Sequence, residues 1–369
     1  MFARPVSRLL LIATPLLIAS VLPQAARSAG PAPSCSCNQG SCAYGGGGGY
    51  SGGGYGEGDY SAGGGADESV VDLGMDATGA TLMGSSLALS DSKVGYIDSA
   101  VVATQLRIRF DAAYDFDEPD RAEYFYSTWA NFGGQTDVNT IGPNNSLDSQ
   151  TVSLYYEQAL TSRLSAFVEA AALFNDPSGV PGPGPNTQGF GDMVAGVKYN
   201  IWEGCNELLT FQLKNYIPTG EEGKWLTAGH YSIEPALLYL NRINPCWTLE
   251  AEIRDWVAIG GADGFNGTPY AGNVLRYGLG LSYNGWTTGC VSMTPVVELV
   301  GWSVLEGQKF AFNPNGPVDA DGDEIVNLKL GMRLARCCSN GSLYVGYGTA
   351  LTDEAWYNDI IRIDYRFLF

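Results

Sequence analysis

Few residues of this chain combine a reactive side chain with the spacing that catalysis requires. The chain contains one histidine, His230, so neither a histidine-based catalytic pair nor a polyhistidine metal site is expected. Glu250 and Glu252 could serve as paired carboxylates, but their separation puts them on one face of a single strand, with no cleft defined. A hydrolase would also need a serine beside His230, and none is evident on a facing strand. We therefore predict that the protein is not an enzyme.

Two segments carry weak metal-binding patterns. The acidic run 319–324 resembles a calcium loop only loosely, because the glycine and glutamate spacing of an EF-hand is absent. It is either a solvated acidic loop or a weak calcium site. Cys35 and Cys37 could hold a metal, or they could form cross-links in an oxidising compartment. We predict no cofactor and no metal site.

The charged residues instead alternate with apolar ones, most clearly at the C-terminus. Counting back from the end, one face carries Phe369, Phe367, Tyr365, Ile363 and Ile361, and the other carries Arg366, Asp364 and Arg362. A period of two indicates a strand with one apolar and one polar face. A final strand that ends on an aromatic residue is typical of outer-membrane β-barrels, so Tyr365, Phe367 and Phe369 are predicted to form the assembly signal for the barrel-assembly machinery.

Similar alternating segments recur from about residue 101 to the end of the chain. They predict twelve strands of roughly ten to fourteen residues, long enough to cross a bilayer at a tilt. Their connections alternate in length. Short ones are predicted at 161–163, 203–206, 242–245, 285–289 and 338–341, and long ones at about 117–147, 175–189, 218–229, 259–271, 304–323 and 352–357. The predicted fold is all-β, a twelve-stranded antiparallel transmembrane β-barrel with a disordered N-terminal tether.

The N-terminal quarter has two parts that lie outside this barrel. Residues 1–29 combine two early arginines, an apolar run and small residues near a cleavage site, which is typical of a secretory signal peptide. Residues 30–92 are rich in Gly, Tyr and Cys and cannot bury enough apolar surface to fold, so we predict a disordered periplasmic segment. The barrel then occupies residues 93–369. This arrangement predicts a bacterial outer-membrane protein whose N-terminal segment lies in the periplasm.

The net charge and the cysteine content restrict the partners and the cross-links that this chain can have. The formal net charge is −19, which would repel nucleic acid, and no nucleic-acid partner is predicted. Eight cysteines in an exported chain allow disulfides. Five of them fall in or beside predicted short turns, and would share one rim of the barrel: Cys205, Cys246, Cys290, Cys337 and Cys338. Their pairing is left open.

The polar face of the predicted strands supplies the candidate site residues. Ten basic and nine acidic side chains are predicted to point into the lumen, where they would brace the wall or set a weak field for polar solutes. These lumen-lining candidates are Arg107, Arg109, Asp111, Glu157, Glu169, Asp192, Lys198, Lys214, Glu234, Glu250, Glu252, Arg254, Arg276, Glu298, Lys329, Arg333, Arg362, Asp364 and Arg366. Tyr124, Phe125 and Tyr126 lie in the longest predicted loop and are the constriction candidates.

Two strand-end motifs carry a family resemblance. The segment Gly189-Phe190-Gly191-Asp192 opens one strand, and Pro218-Thr219-Gly220 closes the next. This pattern resembles the outer-membrane β-barrel transporter family related to proteins of phenol-degradation pathways (MetA-type), and it is similar to exported barrels of planctomycete-type bacteria. The resemblance runs from about residue 107 to 369 and implies solute passage, including that of aromatic or apolar compounds. The Gly/Tyr-rich tether and the cysteine-bearing turns depart from this pattern.

The sequence therefore leaves two functions open. The first is a passive outer-membrane channel or transporter for small-molecule solutes, with outer-membrane lipid as its surroundings. The alternative is a plugged structural barrel that links the outer membrane to a periplasmic or cell-wall partner through the tether. Lumen occupancy separates them, since pairing of Arg107, Arg109, Glu250 and Glu252 across a filled interior would exclude the channel.

Overall fold

The computed structural model describes residues 92–116, 146–178, 186–221, 224, 226–260, 271–288, 290–309, 318–336 and 339–369. Twelve long strands build a barrel. They are β1 (Gln105–Phe116), β2 (Ser146–Ala159), β3 (Leu164–Ser178), β5 (Met193–Glu203), β6 (Glu207–Ile217), β7 (Tyr231–Arg242), β8 (Trp247–Ile259), β9 (Val274–Tyr283), β11 (Val291–Val304), β14 (Glu324–Arg336), β15 (Gly341–Ala350) and β16 (Asp359–Leu368). Four short strands accompany them: β4 (Thr187–Phe190), β10 (Trp286–Thr288), β12 (Gln308–Lys309) and β13 (Val318–Asp319).

The twelve long strands close into an antiparallel barrel. Each pairs with its neighbours along the chain, β9 pairs with β11, and the first strand pairs with the last, from Gln105 opposite Leu368 to Tyr114 opposite Asp359. Closure satisfies the backbone hydrogen bonds of both terminal strands, so the barrel has no open edge. The predicted fold class is confirmed, including the number of barrel strands.

Side chains alternate between the outside and the inside of the barrel. Along β2, Leu154 is 50% exposed and Tyr156 is 40% exposed, whereas Tyr155 and Glu157 between and after them are buried. Outward apolar residues on other strands include Val197, Leu279, Leu299, Leu330 and Val345. Aromatic residues gather at the short-turn rim, where the Trp247 and Tyr283 rings lie 4.9 Å apart. An apolar outer face with rim aromatics is the arrangement that a lipid bilayer requires of a barrel.

The connections differ between the two ends. Short turns join β2 to β3, β5 to β6, β7 to β8 and β14 to β15, and longer segments join the strands at the opposite rim. β4 pairs with residues 172–175 of β3. The chain then bends at residues 191–192 and continues as β5. Within the described ranges, no helix is long and apolar enough to cross a membrane.

The segment that precedes β1 is buried without forming a strand. Ser92 is the last residue of the predicted N-terminal segment and residues 93–104 are the first of the predicted barrel region; Ser92 is buried, and residues 92–104 contain no strand. Residues 92–104, named here the plug segment, lie inside the barrel. Val94, Tyr96 and Ile97 pack in one apolar cluster with wall residues, and Ala100 and Val101 pack in a second.

Candidate functional site

The plug segment enters and leaves the lumen at the short-turn rim. Near its end, the amide of Ala103 donates to Glu157 at 3.4 Å, and near its start the carbonyl of Ser92 accepts from Arg366 at 2.9 Å. Both wall residues lie in the parts of β2 and β16 that border the short turns. Between these points the segment rises to Tyr96, whose carbonyl accepts from Arg276, three residues into β9 from the opposite rim. The plug segment is therefore an inserted loop that fills the short-turn half of the lumen.

Four wall glutamates accept amide hydrogens of the plug segment: Glu157, as described above, and Glu250, Glu252 and Glu298. The Glu298 carboxylate accepts from three consecutive amides and from the hydroxyl of Tyr344. The backbone bonds are Lys93 N and Val94 N to Glu250 (2.8 and 3.3 Å), Gly95 N, Tyr96 N and Ile97 N to Glu298 (3.1, 2.9 and 3.0 Å), and Asp98 N to Glu252 (2.7 Å). These buried carboxylates act as the acceptors that a strand or helix would otherwise supply.

Wall arginines donate to the carbonyl oxygens of the same segment. Arg333 holds two successive carbonyls, and three other arginines hold one each. The bonds are Arg366 to Ser92 O (2.9 Å), Arg333 to Lys93 O and Val94 O (2.9 and 2.7 Å), Arg362 to Gly95 O (2.7 Å) and Arg276 to Tyr96 O (3.0 Å). A backbone without regular secondary structure can be buried here because wall carboxylates accept from its amides and wall guanidinium groups donate to its carbonyls.

A salt-bridge cluster fixes the far side of the plug segment. The carboxylate of Asp98 lies 2.6 Å from the Lys214 ammonium and 3.0 Å from the Arg254 guanidinium. Arg254 also contacts Glu234 at 2.6 Å, and it pairs with Glu252 on its own strand. Opposite charges at these distances compensate one another in a buried site. Asp98 thereby links the plug segment directly to two strands of the wall, β6 and β8.

Two inward-facing glycines of β9 make room for the plug segment. A Cβ atom on Gly278 would lie 2.4 Å from Cγ2 of Ile97, and one on Gly280 would lie 2.5 Å from Cγ1 of Val94. Any larger residue at these positions would overlap the segment sterically. Their placement between the outward residues Tyr277, Leu279 and Leu281 is the one sequence signal that could have indicated an occupied lumen.

The predicted lumen-lining residues fall into two groups by burial. Twelve are buried in the wall or against the plug segment: Arg107, Glu157, Lys198, Glu234, Glu250, Glu252, Arg254, Glu298, Lys329, Arg333, Asp364 and Arg366. The other seven are half-buried and line a cavity: Arg109, Asp111, Glu169, Asp192, Lys214, Arg276 and Arg362. Several brace the wall: the Arg107–Asp364 pair at 3.2 Å joins the neighbouring strands β1 and β16, and the Lys198–Glu157 pair at 3.0 Å reaches across β3 to join β5 to β2.

The cavity occupies the half of the lumen toward the long connections. It has a volume of about 280 Å³, and its floor includes Tyr96 and Asp98 of the plug segment. Aromatic residues contribute to its wall, among them Phe116, Trp256 and Trp302. Sequence reasoning missed the two floor residues because Tyr96 and Asp98 belong to no alternating strand.

The two strand-end motifs form one clasp beside this cavity. The Asp192 carboxylate accepts from the amides of Gly220 (3.1 Å) and Ala228 (2.9 Å). Thr219 accepts from the amide of Met193 at 3.0 Å. A Cβ on Gly220 would lie 2.2 Å from the carbonyl oxygen of Leu226, within the same connection, so glycine is required there. The clasp holds residues 218–220 and 226–228 together, and Leu226 from this connection lines the cavity.

The remaining sequence candidates contribute less to the site. Tyr124, Phe125 and Tyr126, proposed as the constriction, lie outside the described residues. His230 is buried against Trp256, and its Nδ1 lies 2.8 Å from the Ala228 carbonyl. Burial lowers the pKa of His230, although that hydrogen bond and Asp192 oppose the shift. A neutral imidazole is expected at pH 7.

Cysteines and acidic residues give no assembled metal site in the described ranges. Cys205 and Cys290 are exposed free thiols, and both lie at the short-turn rim, as does Cys246. The other cysteines lie outside the residues that the structure describes. No cluster of three or more potential metal ligands occurs among the described side chains.

Comparison with known proteins gives fold-level likenesses at low identity. No protein-family model matches the chain, and no curated protein matches it either. Among solved structures, the chain is similar to the COG4313 outer membrane channel from Pseudomonas putida F1, with 14% identity, coverage of 76% of this chain and 100% of that chain, and a TM-score of 0.47.

Two further solved structures show a similar degree of likeness. The beta domain of the Bordetella autotransporter BrkA has 15% identity and a TM-score of 0.41, over 72% of this chain and all of that one. The NanC porin has 10% identity and a TM-score of 0.42, also over 72% and 100%. The three named proteins include a channel, an autotransporter and a porin, and likenesses this distant assign none of these roles to the chain.

Proposed function

We propose that this protein is a passive bacterial outer-membrane channel for small solutes, and that its own plug segment closes the pore. The closed barrel, its apolar outer face and its aromatic rim support a place in the outer membrane, as does the predicted export signal at 1–29. The inward charges support a polar pathway. The resemblance noted above extends the proposal to aromatic or apolar solutes.

One observation carries the proposal: charged wall side chains hold the backbone of the plug segment. Glu298 alone accepts three of its amides, and Arg333 donates to two of its carbonyls. If the segment withdraws, water can replace every one of these hydrogen bonds, because the wall groups are ionic. Withdrawal would then leave a charged aqueous path that continues into the cavity at the far end.

A specific observation also favours the alternative, a permanently plugged structural barrel. Val94, Tyr96 and Ile97 are buried in an apolar cluster that includes Val296 and Val300, and exposing them would cost about 1.5–3 kcal/mol for each large side chain. Under this second candidate, residues 30–91 and the rim cysteines would attach the membrane to a periplasmic or cell-wall partner. Both ends of the plug segment lie at the rim where such an attachment would start.

A reversible lock on the plug segment tests the first proposal. In the full-length Val94→Cys/Gly280→Cys variant, the two introduced thiols are close enough for a disulfide, since a Cβ at position 280 lies 2.5 Å from the Val94 side chain. Current is recorded in planar bilayers before and after reduction. Openings that disappear on oxidation and return on reduction are expected. Wild-type protein given the same treatments controls for the native cysteines.

A second variant makes the test decisive if the wild-type protein is silent. Gly280→Val places methyl groups where Val94 packs, so it should displace the plug segment and produce current. Heat-modifiable gel mobility verifies that each variant is folded. Silence of folded Gly280→Val would contradict the channel and favour the structural barrel.

A further inference from the structure

Three basic residues on the wall converge on Tyr96 at the tip of the plug segment. The Arg362 guanidinium lies 4.2 Å from the centroid of the Tyr96 ring, and the Lys329 ammonium lies 4.6 Å from it. Arg276 donates to the Tyr96 carbonyl at 3.0 Å. These residues come from β16, β14 and β9, and all three line the cavity. We name Arg276, Lys329 and Arg362 the cationic cage.

The cage has one more positive charge than its ion pairs compensate. Arg362 forms a two-point pair with Asp111 (2.6 and 2.9 Å), and Arg276 lies 3.1 Å from Glu252. Lys329 is buried, and its ammonium donates to the Tyr357 hydroxyl at 2.5 Å. In the described part of the chain, no carboxylate lies within ion-pair distance of Lys329.

The acid closest in register to Lys329 is already engaged elsewhere. Glu298 is its cross-strand partner on β11, but the Glu298 carboxylate accepts from the plug amides and from Tyr344. A buried ammonium without a counter-charge is costly, and the aromatic rings around it compensate only in part. Lys329 thus lacks a counter-anion among the described residues.

Tyr96 partly fills the place that such an anion would take. Its carbonyl oxygen supplies Arg276 with an acceptor, and its ring face supplies electron density to Lys329 and Arg362. Its own hydroxyl is buried and has no hydrogen-bond partner among the described residues. The cage therefore presents an ammonium without a counter-ion and a phenol donor without an acceptor at one end of the cavity.

We propose that the cationic cage is the binding site of a small organic monocarboxylate, and that Tyr96 competes with this solute for the cage. A carboxylate that displaces Tyr96 would give Lys329 its missing counter-charge and could accept from Arg276. A neutral or cationic solute would leave the positive charge uncompensated. The inference rests on the proposed function only in supposing that solutes reach the cavity; binding itself needs no conduction.

The test measures binding in detergent, separately from current. Sodium benzoate is titrated into the full-length protein by isothermal titration calorimetry, with benzyl alcohol and benzylammonium as uncharged and cationic probes of similar size. Saturable binding of benzoate is expected, with both other probes about tenfold weaker or undetectable. Lys329→Met should weaken benzoate binding about tenfold or more, because it keeps the side-chain length and removes the charge.

Two further variants complete the design. Lys224→Met removes the same charge from an exposed connection outside the cage, and it should bind benzoate as the wild type does. Arg276→Gln, which removes a partly exposed cage member, should also weaken binding, and it replaces Lys329→Met if that variant does not fold. Equal affinity of folded cage variants and wild type, or benzyl alcohol binding as well as benzoate, would overturn the proposal.

The outcomes also separate this site from the channel. Charge-selective benzoate binding in a protein that never conducts would leave the cage assigned and contradict the channel. Conduction without charge-selective binding would support the channel and contradict the cationic cage as a carboxylate site.

Discussion

At the scale of single residues, the barrel uses its buried charges as substitutes for secondary structure. Glu298 illustrates this use, since its two carboxylate oxygens accept three consecutive amides of a segment that is remote in sequence. A buried amide without an acceptor costs about 1–3 kcal/mol, so these carboxylates are what allows an irregular chain to be buried. The inward-facing charged side chains therefore have two roles: they form ion pairs within the barrel wall, and they bind the backbone of the plug segment.

Replacing Glu298 by Gln should loosen the plug segment. The amide group keeps one acceptor oxygen but loses the charge, so at least one plug amide becomes unpaired, and the free energy that holds the segment should fall by about 2 kcal/mol. We expect the open probability in planar bilayers to rise about tenfold or more. Glu203→Gln, on an exposed strand end, is the matched control and should leave the current unchanged. Equal open probability in both variants would argue against this role of Glu298.

At the scale of elements, two features position the site. One is the pair of inward-facing glycines on β9, Gly278 and Gly280, and the other is the clasp between the β4–β5 bend and the β6–β7 connection. The first makes space inside the barrel, and the second folds a connection over the cavity. In each case a glycine permits a close approach that the neighbouring strand geometry imposes, as Gly280 does for Val94 and Gly220 for Leu226.

Replacing Gly280 by a larger residue should displace the plug segment without disturbing the barrel. Gly280→Val is expected to make Ile97→Cys, added in the same chain, react with a membrane-impermeant maleimide at least several-fold faster, because Ile97 is buried while the segment is seated. Leu279→Val, on the outward face of the same strand, is the comparison and should leave Ile97→Cys protected. Unchanged labelling in the Gly280→Val background would show that the glycines are not what seats the segment.

Removing the clasp should release the β6–β7 connection. In Asp192→Ala, two amides lose a charged acceptor, which should destabilise the closed connection by about 2–4 kcal/mol. Trypsin cleavage after Lys224 should accelerate by about tenfold or more, since proteolysis tracks local opening. Asp321→Ala, on a different exposed connection, should leave the Lys224 site as resistant as in the wild type. Equal cleavage rates would show that other contacts hold the connection closed.

At the scale of the whole molecule, closure joins the first and last strands of the barrel. Phe369 donates its amide to Thr104 at 3.0 Å, and Arg107 on β1 pairs with Asp364 on β16. The strand that was predicted to carry the assembly signal is thus also the strand that closes the barrel, next to the point where the plug segment turns into β1.

Substituting the terminal aromatic separates assembly from stability. Phe369 is 69% exposed, so Phe369→Ser should change the stability of the refolded barrel by no more than about 0.5 kcal/mol. If the residue is an assembly signal, the amount of variant in the outer membrane of cells should nevertheless fall several-fold. Refolding yield in detergent and membrane yield in cells are measured side by side. A parallel loss of both would assign Phe369 a structural role instead.

The sequence alone determined which side chains face inward and how many strands close the barrel. Alternation with a period of two assigns a face to every residue of a strand, so Arg107, Glu250 and Asp364 could be placed inside before any contact was known. Counting the alternating segments gave the number of strands, and their short and long connections indicated the two rims. These properties are local in sequence, and for that reason they are readable from it.

What fills the lumen could not be predicted from the sequence and became visible in the folded barrel. Residues 92–104 have no periodic pattern, and their partners lie far along the chain, as when Lys93 donates to Glu250, 157 residues away. The clasp is similar, because Asp192 and Gly220 meet only after two strands have folded back. Closing the barrel brings β9, β14 and β16 together around Tyr96, and that convergence creates the cationic cage. Such long-range juxtapositions follow from barrel curvature and register, which no short stretch of sequence specifies.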